Sequence, residues 1–182
     1  MMSFAKIRDG KYYLDLAAED YYLKGGEPDG VWCGAGASSL KLNGTVSSND
    51  LSNLLKGYSP NGKTALCQNA GLGHTPGWDL TFNAPKSVSL LWAAASPEMR
   101  QKIQVAQLTA VKEAIALIEE YAAFTRRGEA GNEREQVAGL ISAVFEHSTS
   151  RALDPHLHSH AIVANAAPRK DESWGTLDSR TI

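Results

Sequence analysis

The 182-residue sequence has two cysteines, five histidines and no long apolar run. Its longest apolar stretch, 88–95, is interrupted by Ser89 and falls far short of the ~20 residues that cross a bilayer, so membrane insertion is not expected. Cys33 and Cys67 show no CxxC spacing and build no disulfide framework. They read as reduced, buried small hydrophobes. The opening MMSFAKIRDGKYY lacks the apolar core of a secretory signal, and with the sparse cysteines this predicts a cytoplasmic protein. An excess of positive charge is missing as well: 18 Lys and Arg stand against 20 Asp and Glu, a net charge of −2. That argues against a broad basic stripe for non-specific nucleic-acid binding, and leaves room for a few cations around one phosphate. No internal repeat or low-complexity segment is present.

What the chain does contain is alternation and periodicity. Residues 9–22 read as a short helix or helix-and-turn stopped by Gly25 and Gly26, and 34–44 read as loop-rich. A helix follows, capped by Ser47 or Ser48, lined by Leu51, Leu54 and Leu55 and ended at Gly57. Residues 58–76 are rich in Gly, Pro and Asn and predict an irregular loop. WDLTFNAP, 78–85, alternates like a strand and breaks at Pro85. The strongest helix spans 97–127, with Ser96 at its N-cap, Pro97 at N1 and a stripe of Leu108, Val111, Ile115, Ile118 and Ala122. Strands are expected over 136–147 and 156–165, joined by a turn at 148–155, with a further strand near Trp174. Hairpin-paired strands with inserted helices predict an α+β fold.

RALDPHLHSHAIVAN, 151–165, concentrates three of the five histidines at positions 156, 158 and 160. Residues i and i+2 of a strand share a face and lie roughly 6.5 Å apart, so two such imidazoles can meet on one ion. Three in a row cannot do so easily, because the outer pair is about 13 Å apart. The ion would therefore take either His156 and His158 or His158 and His160, with His147 donated from the preceding strand. Three neutral imidazoles leave open positions suited to phosphate oxygens, and admit Mg, Mn, Zn, Ni or Fe. His74, in the Gly-rich GLGHTPG, reads as a loop histidine.

Four of the six tyrosines fall in KYYLDLAAEDYY as the pairs Tyr12-Tyr13 and Tyr21-Tyr22. Adjacent tyrosines point in different directions, so one of each pair faces something other than a shared core. A tyrosine phenolate is a competent covalent nucleophile. Asp79, between Trp78 and Leu80, is placed either to orient a ligating imidazole or to accept a tyrosine proton. Lys86 and Ser87, after Pro85 at an expected helix start, and Arg151 are candidate phosphate contacts.

These stretches together resemble the MobF family of conjugative relaxases, within the HUH endonuclease superfamily. The likeness rests on the two tyrosine pairs, on WDLTFNAPKSVSLLWA at 78–93, and on FEHSTSR at 145–151 with DPHLHSHAIVAN at 154–165. The resemblance implies an antiparallel β-sheet flanked by helices, with metal ligands at His147, His158 and His160 and His156 outside the triad. It further implies catalytic roles for Tyr12 as nucleophile, Tyr21 in a second transfer and Asp79, with Tyr13 and Tyr22 as accessory nucleophiles. The implied activity is metal-dependent, site- and strand-specific nicking through a 5′-phosphotyrosine intermediate at a plasmid transfer origin. Mg or Mn would be the expected cofactor, with Zn or Ni as alternatives. The expected partners are single-stranded and hairpin origin DNA, together with relaxosome and secretion-system proteins. Because the family's catalytic domain runs longer, residues 1–182 read as a relaxase catalytic domain incomplete at its C-terminus. Two alternatives share the features: a truncated single-stranded DNA-binding module that does not cleave, and a rolling-circle replication initiator.

Overall fold

The computed structural model describes residues 1–7, 28–71, 73–150 and 152–179. The helix expected over 9–22 and the residues Tyr12, Tyr13, Tyr21, Tyr22 and Arg151 lie outside the described residues.

A five-stranded antiparallel sheet organises the chain. It comprises β1 (Met2–Lys6), β2 (Val31–Cys33), β3 (Gly77–Asn83), β6 (Ser142–Thr149) and β7 (Pro155–Ala164), in the order β1-β3-β7-β6-β2. Alternation gives the sheet two apolar faces. One face carries Phe145 and Ile162 against Leu51, Leu54, Leu55, Val46 and Ala37. These come from the short helix α1 (Ala35–Ser39), the helix α2 (Ser48–Leu55) and the segment between them. The other face packs Trp78, Leu80, Val144, Ala161 and Val163 against Val111 and Ile115 of the long helix α4 (Pro97–Tyr121). Between β3 and α4 the apolar stretch at 88–95 forms α3 (Lys86–Ala94), which leaves Leu90 and Leu91 exposed. The α+β expectation agrees with this architecture, and Ser47 and Ser96 cap α2 and α4 as anticipated, accepting from Asp50 N and Met99 N at 3.4 Å. Both cysteines are buried and free. Burial pushes the Cys67 thiol up to about 11, so it stays protonated and unreactive at neutral pH. Among the described residues no helix is long and apolar enough to cross a membrane.

Two expectations need correction. The long helix ends at Tyr121 rather than Arg127, and Phe124–Arg127 is strand β4, paired antiparallel with β5 (Glu133–Gln136). Gly128 and Gly131 supply positive φ in the connection, and the Arg134 guanidinium sits 3.5 Å over the Phe124 ring. These pairings outcompete another helical turn. Secondly, the strand expected from 136 starts only at Ser142. The backbone before it is engaged elsewhere, with Val137 N donating to Ala123 O and Ala138 N to Pro168 O. The loop-rich segment 34–44 contains the short helix α1. The strand expected near Trp174 is present as β9 (Trp174–Gly175), paired with β8 (Ala167–Pro168).

One carboxylate ties the helix layer to the sheet edge. Glu119, near the end of α4, accepts from Ala35 N at 2.8 Å and from Leu140 N at 2.6 Å through the same oxygen. Gly34 lets the chains close there: its φ is 96°, and a Cβ would sit 2.3 Å from Leu140 O. Glu119→Ala strands two backbone donors at a half-buried position and is expected to cost about 1–2 kcal/mol in urea unfolding. An unchanged unfolding midpoint would mean that water serves those N–H groups equally well.

Candidate metal centre

The β6–β7 hairpin sets His147 directly across from His158, and a register shift between His147 and Thr149 disrupts the ladder beyond that pair. On its other side β7 pairs with β3, placing Thr81 opposite His160 and Asn83 opposite His158. His147, His158 and His160 therefore converge on one face. Their ring centroids are separated by 5.3 Å (147–158), 5.3 Å (147–160) and 5.1 Å (158–160).

Hydrogen bonds define which nitrogen of two rings carries its lone pair. His160 Nδ1 lies 2.8 and 3.0 Å from the Asp79 carboxylate oxygens, and His158 Nδ1 lies 2.8 Å from the carbonyl of His156. Both partners accept in these contacts, so each Nδ1 donates and each Nε2 keeps its lone pair free. Asp79 is itself buried and accepts a hydrogen bond from the Thr81 hydroxyl at 3.3 Å. Burial above all pushes His158 down to about 4, which keeps the ring neutral at physiological pH, the state in which an imidazole can bind a metal.

The spacing suits one cation. With metal–nitrogen bonds of about 2.1 Å and roughly 1.1 Å from ring nitrogen to ring centre, three imidazoles on a tetrahedral ion have centroids about 5.3 Å apart. The fit rests on ring spacing alone: as the side chains stand, no group of three His, Cys, Asp or Glu among the described residues is arranged to hold a metal ion.

The remaining candidates distribute around this face. His156 packs edge-on to His158 at 4.7 Å, and its Nε2 lies 2.8 Å from Asn83 Oδ1. Lys86, at the start of α3, donates to Pro155 O at 2.8 Å, next to the histidine run, and Ser87 is exposed in the same helical turn. His74 is buried in the 57–76 loop, its Nδ1 3.3 Å from Asn69 Oδ1, and burial lowers its pKa. Sequence reasoning missed Thr81 and Asn83, although the alternation of WDLTFN puts both on the face of Asp79. It also missed Glu146. That side chain points to the opposite face of the sheet, where burial raises its carboxyl to about 7 and Oε1 has no hydrogen-bond partner among the described residues.

A family model described as TrwC relaxase matches residues 7–182. The chain belongs to the TrwC relaxase family. This is a family of DNA-nicking enzymes. The multifunctional conjugation protein TraI of Escherichia coli K12 is 36% identical to all of the chain, which spans only 10% of that relative. A structure of TrwC complexed with a 27-mer DNA comprising the recognition hairpin and the cleavage site superimposes with a TM-score of 0.81 at 31% identity. It covers 100% of this chain and 61% of its own. A metal-bound TrwC complex with transfer-origin DNA matches with a TM-score of 0.79 at 32% identity, over 99% of this chain and 62% of its own. The sheet-and-helix TrwC relaxase fold is therefore the fold of this chain.

Two outcomes follow from the geometry. Asp79→Asn, which removes the charged acceptor from His160, is expected to weaken Mn²⁺ binding about 10- to 100-fold by calorimetry, and equal affinity would count against its support of that ring. For Glu146 the folded pKa lies above the unfolded one, so the native state binds the extra proton. Metal-free protein should therefore lose stability as pH rises from about 4.5 to about 7, and hold constant above. Glu146→Gln should remove that slope and gain roughly 1–2 kcal/mol at pH 8 relative to the parent. Parallel stability–pH curves would contradict the assignment.

Proposed function

We propose that this chain is the catalytic core of a conjugative relaxase, a metal-assisted, strand-specific transesterase acting on single-stranded DNA at a plasmid transfer origin. The observation that carries the reading is the triangle of His147, His158 and His160, with two ligating nitrogens selected by hydrogen bonds, in a chain of the TrwC relaxase family. These three residues would hold a divalent ion, Mg²⁺ or Mn²⁺ first, with Zn²⁺ or Ni²⁺ as alternatives. When bound, the ion polarises the scissile phosphate.

The chain's own residues do the rest. Asp79 holds the His160 Nδ1 proton and keeps that ring aimed. The Tyr12 phenol oxygen attacks phosphorus; the new Oη–P bond replaces the P–O3′ bond, the phenol proton is lost, and the departing O3′ takes up a proton. One phosphodiester replaces another, so the 5′-phosphotyrosine forms without nucleotide hydrolysis. Tyr21 serves the second transfer, with Tyr13 and Tyr22 as accessory nucleophiles, while Lys86, Ser87 and Arg151 contact backbone phosphates. The DNA partner is a hairpin with its adjoining single strand, by likeness to the solved TrwC complexes. Relaxosome and secretion-system proteins are the expected protein partners, in the bacterial cytoplasm.

A second reading, a module that binds DNA without cutting it, draws on one observation: the chain spans 61% of the TrwC unit solved with DNA. The two part in one experiment. Purified chain incubated with Mn²⁺ and a degenerate pool of single-stranded oligonucleotides should yield an SDS-resistant protein–DNA adduct. Tyr12→Phe and His158→Ala should each lower it by about 100-fold or more. DNA retention without adduct would select the binding module.

A further inference from the structure

The third histidine of the run is not a bystander to the metal site. Asn83 lies across from His158 in the β3–β7 pairing and is anchored to the residue before β1, its backbone N–H donating to Met1 O at 2.8 Å. Its side-chain nitrogen also donates to Met1 O, at 3.4 Å, so its side-chain oxygen is the atom that faces His156. His156 Nε2 must then be the donor of that 2.8 Å contact, the reverse of the tautomer on His158. With its ring held this way, His156 stands edge-on to His158, 85° between planes and 4.7 Å between centroids. The carbonyl of the same residue accepts the His158 Nδ1 proton. His158 is thus braced twice by one residue, once through the backbone and once through the ring, and that ring is locked by Asn83.

We propose that His156 and Asn83 act together as a positioning strut for His158, setting the orientation in which its Nε2 reaches the metal. The proposal rests on the metal-centre reading above and adds to it two residues outside the three ligands. Asp79 and Thr81 brace His160 from β3 in the corresponding way, so β3 supports both ligands of β7 with one row of alternate residues.

The test is Co²⁺ binding by the purified chain, read by calorimetry and by the visible absorption of the bound ion, alongside thermal unfolding of the metal-free protein. His156→Ala and Asn83→Ala are each expected to weaken Co²⁺ about tenfold and to alter the absorption band. The double variant should be no weaker than either single one, because the two residues work as a unit. His156→Gln, whose amide can still donate to Asn83, should lie within about threefold of the parent, and apo-protein unfolding should be unchanged in all of them. Adduct formation by His156→Ala should recover at saturating Mn²⁺. Parent-like affinity in both alanine variants, or losses that multiply to about 100-fold in the double, would overturn the strut. So would a matching loss of apo stability, which would mark the pair as merely structural, or abolition of binding in His156→Ala equal to that in His158→Ala, which would make His156 a ligand. If the parent chain itself binds no Co²⁺, or His158→Ala binds as well as the parent, the metal centre fails and the strut falls with it.

Discussion

The antiparallel ladder that joins β7 to β6 on one side and β3 on the other is the constraint on which everything at the candidate site depends. A strand offers its side chains at a fixed spacing, but their partners are chosen by register. With His147 opposite His158 and Thr81 opposite His160, three rings share one face and a carboxylate meets the third. A slip of one residue in either ladder would turn one strand's contribution onto the face packed by α4. The two hydrophobic layers that cover the sheet, α1 and α2 on one side and α3 and α4 on the other, hold that register because the wrong one would bury histidines among Val111 and Ile115.

The two faces treat polarity in opposite ways. On the histidine face the polar groups are partnered in two sets: buried Asp79 with the half-buried His160 and Thr81, and Asn83 with His156, whose carbonyl accepts from His158. Such sets fix proton positions before any ion arrives, which lowers the reorganisation that binding would require. On the α4 face Glu146 is buried with its Oε1 unpartnered among the described residues, and its carboxyl is raised toward neutrality because the charged form has lost water. Adjacent positions on one strand thus carry opposite electrostatic solutions, imposed by which face each residue points to.

Membership of the TrwC relaxase family gives these local observations a common purpose, and the chain corresponds to about three fifths of the TrwC unit seen with DNA. The metal-site face and the start of α3 lie at one end of the sheet, where Lys86 reaches Pro155.

Much of this was legible in the sequence because period and punctuation are local properties. The alternation of 78–83 and 156–164, the serine caps of α2 and α4 and the Gly-rich loop at 57–76 all declare themselves within a few residues. Likewise, the HxHxH spacing by itself restricts an ion to two neighbouring imidazoles of β7. Which two was beyond spacing, since His156–His158 and His158–His160 are equivalent along the strand. Only the pairing of β7 with β3, some eighty residues earlier in the chain, puts Asp79 beside His160 and Asn83 beside His156 and so makes the ends of the run different. The same reason explains the errors. Phe124–Arg127 continues a helical pattern locally but is strand because Glu133–Gln136 and Leu177 lie alongside it, and Glu146 sits among strand residues whose burial no local pattern reveals. Local chemistry determined the elements and the candidate donors; long-range register decided the partners, because a hydrogen bond between distant strands is a property of neither segment alone.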